Sequence, residues 1–317
     1  MAGRRIPDNT MNELQEEIDA IGFASDDELG LTLGVGWRTF LKILVPMLPL
    51  IVLCAIPPAV IISFIPFDEI AQRLNLSDMD ALKLQLRIEQ LVTLPFSTVV
   101  FITAMVASVR AMARNRLGLW ADFATAMRRV LPVIGTSFLV FLSALGFSFA
   151  LIVSMRLVAS LPPHTANFFA IALLAAFLVV IVAYAVKVSF CLASAVVGGT
   201  SGTGALRESM GLVRGRWWQT FGLLFVIAIC SLLLQMPAIL SGVCEGRLMT
   251  VTDNLAVLTI ADAVTIALGF TASLFAVSAI TVLYLMRRSR LMRQAAEAPF
   301  GDSQFGDDEV QPSDFRQ

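Results

Sequence analysis

Residues 198–204, GGTSGTG, are the nearest this sequence comes to a chemical motif. Glycines in such a run let backbone amides approach an anion, as they do in phosphate-binding loops. The lysine of a P-loop is missing, however, and Ala205, Leu206 and Arg207 follow instead. The run is therefore expected to be a flexible break before a short basic helix, with lipid-phosphate contact as its functional reading. Charges inside apolar runs are the second place to look for chemistry. Counted from Asn167 at the helical rise, Lys187 lies about 30 Å along its run, close to the next interface, where it can snorkel. The same count puts Arg156 and Asp262 near the opposite ends of theirs, so Lys187 and Asp262 should not meet and no ion-pathway pair emerges.

Catalytic constellations are absent from the pattern. A single histidine, His164, sits after two prolines, and the chain carries no HExxH, no paired metal ligands and no Ser/His/Asp set. Asp78 and Asp80 read as solvated charges at a helix start. Cys54, Cys191, Cys230 and Cys244 lie in or at the end of apolar runs without CxxC or metal-type spacing, and are expected to pack as small hydrophobes. The expectation is a non-enzymatic protein with no catalytic residue, cofactor or metal.

The elements that position these residues are membrane spans. Apolar residues make up 57% and charged residues 15% of 317, and the mean hydropathy is +0.80, too apolar for an ordinary soluble domain. Apolar runs long enough to cross a bilayer, about twenty residues, end near 67 and cover about 91–113, 131–158, 166–196, 218–243 and 256–285. The fold class expected is all-α: a polytopic bundle of about six spans at 31–293. A polar tail at 1–30 precedes it, with a short helix capped by Asn9 or Thr10, and an acidic, disordered tail at 294–317 follows. The charged N-terminal residues lack the apolar core of a secretory signal, so the first span is expected to serve as its own insertion signal. Ser77 or Asp78 is placed as the N-cap of an amphipathic helix that feeds span 2.

Arginines gather at one set of span ends. Arg4, Arg5 and Arg38 flank span 1; Arg110, Arg114, Arg116, Arg128 and Arg129 follow span 2; Arg207, Arg214 and Arg216 follow span 4; Arg287, Arg288, Arg290 and Arg293 follow span 6. The positive-inside rule makes that side cytoplasmic, with both termini inside a bacterial inner membrane. Trp37, Trp120, Trp217 and Trp218 all fall on the same side, each before an odd-numbered span. The inner connectors are thus expected to lie flat as interfacial helices. Placing Trp37-x-x-Phe40 over Trp120-x-x-Phe123 and over 204–218 suggests a threefold internal repeat of parallel units, unlike the inverted repeats of many transporters.

The stretch 190–222, FCLASAVVGGTSGTGALRESMGLVRGRWWQTFG, carries Ala205-Leu206-Arg207-x-Ser209, then Leu212-Val213-Arg214-Gly215, then Trp-Trp-x-x-Phe-Gly at 217–222. It resembles the membrane domain fused to some glycerophosphoryl diester phosphodiesterases, which also stands alone in bacterial multi-span proteins of unknown activity. Relatives commonly have an acid before the AL-R-S segment, where this chain has Gly198 and Gly199. The soluble phosphodiesterase domain is absent with its His and carboxylate ligands, so the resemblance implies the membrane fold and no hydrolysis. The function expected is that of an accessory, scaffold or envelope protein. Arg207, Arg214, Arg216, Trp217 and Trp218 would contact anionic lipid headgroups on the cytoplasmic side, with no nucleic-acid partner. The alternative is a transporter or channel for a small or amphiphilic solute.

Overall fold

A computed structural model describes residues 28–75, 77–112, 118–160, 162–248 and 254–297. The short helix expected near Asn9 and the acidic tail from 298 onward lie outside the described residues. Among those described, the chain is all-helical, and six helices are long and apolar enough to cross a membrane. It is a multi-pass membrane protein.

Helix α1 runs Glu28–Ser63, with four prolines inside it. The short α2, Phe67–Arg73, leads to α3, Asp78–Met112. Ser77 caps α3 as expected, its Oγ accepting from the Asp80 N–H at 3.3 Å. Helices α4, Leu119–Ala159, and α5, Pro163–Val188, form a hairpin. A short turn at Cys191–Ala193 and a π-helical turn at Ser194–Gly198 carry the chain to α6, Thr203–Val213. Helices α7, Trp217–Leu248, and α8, Leu255–Glu297, complete it. With six spans, the start of α1, the α3–α4 link, α6 and the end of α8 share one end, called here the basic end.

Helices α1, α3 and α8 make the core, and α7 lies along α8. Its largest fully buried side chains include Ile43, Met47, Leu274, Leu283 and Tyr284. Gly36 lets α1 close on α8, since a Cβ there would stand 3.1 Å from the Ala279 Cα. Hydroxyl pairs bond the spans across: Ser63 with Thr259 at 2.8 Å, Ser108 with Ser278 at 3.3 Å, and Ser241 with Thr265 at 2.9 Å. In hydrocarbon such bonds supply part of the association that water would otherwise drive.

The α4–α5 hairpin is attached differently. The buried residues of α4 are Asp122, Ala126, Val133 and Thr136, all in its first half. Among the described side chains of α5 the buried one is Val186, in the last turn. The two helices pair with each other through Ser143 and Tyr184, and Phe147 lies on Tyr184 with ring centroids 5.2 Å apart. They join the core chiefly at the basic end and leave the rest of their length to lipid.

The connectors depart from a uniform flat arrangement. Trp37 and Trp120 stand near the starts of helices of 36 and 41 residues that continue without a break into their spans. At about 1.5 Å per residue these helices outrun a hydrocarbon core of about 30 Å, so the basic segments are extensions of spans. Among the described residues of the inner connectors, the third alone forms a helix separate from its span. Its break is Gly215, whose φ of 77° lies in the left-handed region that favours glycine, whereas α1 runs through Trp37 and α4 through Trp120 with no residue of positive φ.

Candidate functional site

The third connector becomes a built site because glycine allows sharp turns on both sides of α6. Gly199, φ 75°, ends the π-helical turn, and Gly202, φ 60° and ψ −125°, precedes the helix. Within α6 the residues Ala205, Ser209, Leu212 and Val213 recur at helical spacing and are buried. Glu208 lies on the same side, and its side chain is 6% exposed. On the other side Arg207 is exposed, as are Arg214 and Arg216 just beyond the helix.

A carboxylate in so dry a place needs partners, and it has them from three elements. Tyr284 of α8 donates its hydroxyl to Glu208 Oε1 at 2.7 Å. Ser194 of the π-helical turn donates to Oε2, and Thr200 Oγ1 lies 2.9 Å from the same oxygen. The Arg288 guanidinium, 14% exposed, supplies the opposite charge, with Nε 3.4 Å from Oε1. That contact is an ion pair without hydrogen-bond geometry at Nε. Arg288 also lies over the Tyr284 ring, 5.9 Å from its centroid. Gly198 completes the packing, because a Cβ there would come within 2.5 Å of Tyr284 Oη and 3.2 Å of Glu208 Oε2.

The neighbouring contacts fasten α6 at other points. Ser209 Oγ donates to the Lys187 carbonyl at 2.6 Å and accepts from the Phe190 N–H at 3.2 Å. Arg287, 3% exposed, donates to the Leu212 carbonyl at 3.4 Å and to Thr220 Oγ1, and its guanidinium lies 5.8 Å from the Phe190 ring centroid. The Leu212 carbonyl belongs to the last turn of α6, the end at which a cation opposes the helix dipole. The Gly202 N–H donates to Thr136 Oγ1 of α4 at 3.0 Å, and Arg129 lies against Gly199.

A second acid–arginine pair fastens the preceding connector. Arg110 of α3 meets Asp122 of α4 at 2.6 Å, with the Asp122 side chain 2% exposed. Lys42 of α1 donates to the Ala111 carbonyl at 3.5 Å, at the end of α3.

The five residues expected at headgroups divide. Arg207, Arg214 and Arg216 form no ion pair among the described residues, and Trp218 is 77% exposed. Trp217 faces inward. It stacks on Phe221 with centroids 5.6 Å apart, and its buried indole N–H makes no hydrogen bond among the described residues. Of the other arginines counted on this side, Arg38 and Arg128 are exposed, whereas Arg287 and Arg288 turn into the protein. Lys187 is exposed in the last turn of α5, and Asp262 lies early in α8 at the far end, so the two are apart. Cys54 and Cys191 are buried, Cys230 is half-buried and Cys244 exposed.

Sequence reasoning passed over Glu208, which stood as the unassigned position between Arg207 and Ser209. A signal was present, since it is the only acid in 196–222 among three arginines. No group of three or more metal-type ligands occurs among the described residues. A family model described as a domain of unknown function, DUF7847, matches residues 83–287. No curated protein and no solved structure matches the chain.

Proposed function

The chain belongs to the DUF7847 family, and from that premise we propose that it is a non-enzymatic accessory protein of a bacterial inner membrane whose basic end holds anionic lipid headgroups. One observation carries this reading: the connector's single acid, Glu208, is turned inward and neutralised there, while Arg207, Arg214 and Arg216 face outward without a counter-charge among the described residues. The external field of this segment is thus positive throughout, although its sequence is of mixed sign. Each such arginine near an anionic surface contributes about 1 kcal/mol. Trp218 beside them supplies a ring suited to headgroup depth.

Arginine placement supports a cytoplasmic basic end with both termini inside. The resemblance to the membrane domain of glycerophosphoryl diester phosphodiesterases belongs to the same proposal, as a likeness of membrane fold without the hydrolase. Native mass spectrometry of the detergent-released protein tests the lipid reading. Adducts of phosphatidylglycerol should outnumber those of phosphatidylcholine from an equimolar mixture. The preference should fall at least about tenfold when Arg207, Arg214 and Arg216 are all changed to Gln, as a loss of about 3 kcal/mol allows. An unchanged preference would mean that these arginines set topology alone.

A further inference from the structure

Helix α6 is bounded by residues that only glycine serves well. Gly199 and Gly202 have φ of 75° and 60° on one side, and Gly215 has 77° on the other. A π-helical turn, a local deformation that recurs where helices must give, stands immediately before them. No side chain caps the start of α6. Its seat is small and mixed: Ala205, Leu212 and Val213 join the apolar core, and Glu208 and Ser209 add a polar half with their partners. The spanning helices, by contrast, rest on long apolar faces, and Leu274, Leu283 and Tyr284 of α8 are fully buried.

We propose that α6 is a hinged cover, latched by Glu208, that opens as a unit about Gly199 and Gly202 at one end and Gly215 at the other while the spans stay in place. Four groups on three other segments converge on the one carboxylate: Ser194, Thr200, Tyr284 and Arg288. Releasing it removes the charged anchor of the helix, and what remains is the Ser209 and Arg287 hydrogen bonds and the short apolar face of Ala205, Leu212 and Val213. The opened state bares the Tyr284 and Ser194 hydroxyls and the Arg288 guanidinium at the basic end, a polar seat able to receive a carboxylate or phosphate in place of Glu208. The proposal uses none of the lipid contacts of Arg207, Arg214 or Arg216, so its failure and that of the lipid reading are separable.

Hydrogen–deuterium exchange of the full chain in neutral phosphatidylcholine nanodiscs tests it. Peptides covering 203–213 should exchange together and at least about tenfold faster than peptides covering 270–283 of α8. Glu208→Gln, which keeps the shape but drops the charge, should speed 203–213 by about a further tenfold and leave 270–283 unchanged. Equal exchange in the two regions, or a Glu208→Gln effect that is absent or spread over both, would overturn the latch. If Glu208→Gln does not accumulate, Tyr284→Phe takes its place, removing one hydroxyl from the seat. A smaller acceleration confined to 203–213 is then expected, and no acceleration or a general one overturns the proposal.

Discussion

Glu208 shows how far a side chain's role depends on which way it faces. In the sequence it is one charge in an arginine-rich segment; in the fold it is the centre of a seat from which water is nearly excluded. Gly198 belongs to that seat, so Gly198→Ala should force Tyr284 or Glu208 to shift and lower stability by about 1–3 kcal/mol. Gly211→Ala is the control: it lies in α6 with nothing within 4 Å of an added Cβ, and should raise stability by about 0.5–1 kcal/mol. Thermal unfolding in detergent, followed by tryptophan fluorescence, reads both. Arg287→Ala leaves Thr220 and the Leu212 carbonyl without their buried donor, and should lower stability by about 1–3 kcal/mol in the same assay. The inward turn of Arg287 and Arg288 was not legible in the sequence. A basic run after a span reads as an anchor, and only the packing of α8 against α6 and α7 decides which arginines face the protein.

Among the elements, the connectors are fastened by the same device in two places. Asp122 pairs with Arg110 at the end of α3, and Glu208 pairs with Arg288 near the end of α8. In the first connector Thr39 stands two residues after Trp37, as Asp122 stands two after Trp120, and it too is buried, at 3%. The first two connectors thus share an inward polar residue two positions after the tryptophan. Asp122→Ala removes the partner of Arg110, which is 32% exposed, so the loss should lie at or below the lower end of the roughly 3–5 kcal/mol seen for a buried pair. The double variant Asp122→Ala/Arg110→Ala should recover part of that loss, and a thermal-unfolding cycle over the four proteins checks it. The spans themselves were legible because some twenty apolar residues in a row have few alternatives. Whether a basic segment breaks from its span was decided by one residue, Gly215, whose backbone conformation a hydropathy pattern does not register.

At the scale of the molecule, a three-helix core with α7 alongside carries a hairpin joined mainly at the basic end, where Arg38, Arg128, Arg207, Arg214 and Arg216 face outward. Cys244, exposed near the end of α7, lies at the far end. If the basic end is cytoplasmic, an impermeant maleimide added to intact cells with a permeable outer envelope should label Cys244, and labelling only after lysis would reverse the orientation. The charge asymmetry also predicts lipid selectivity for the whole protein. The most direct test is electron spin resonance of spin-labelled lipids in mixed bilayers containing the protein. Phosphatidylglycerol should be held in the motionally restricted population in preference to phosphatidylcholine, and the preference should weaken with salt and fall when Arg207, Arg214 and Arg216 are all Gln. Equal restriction of the two lipids by the wild-type protein at low salt would contradict the account.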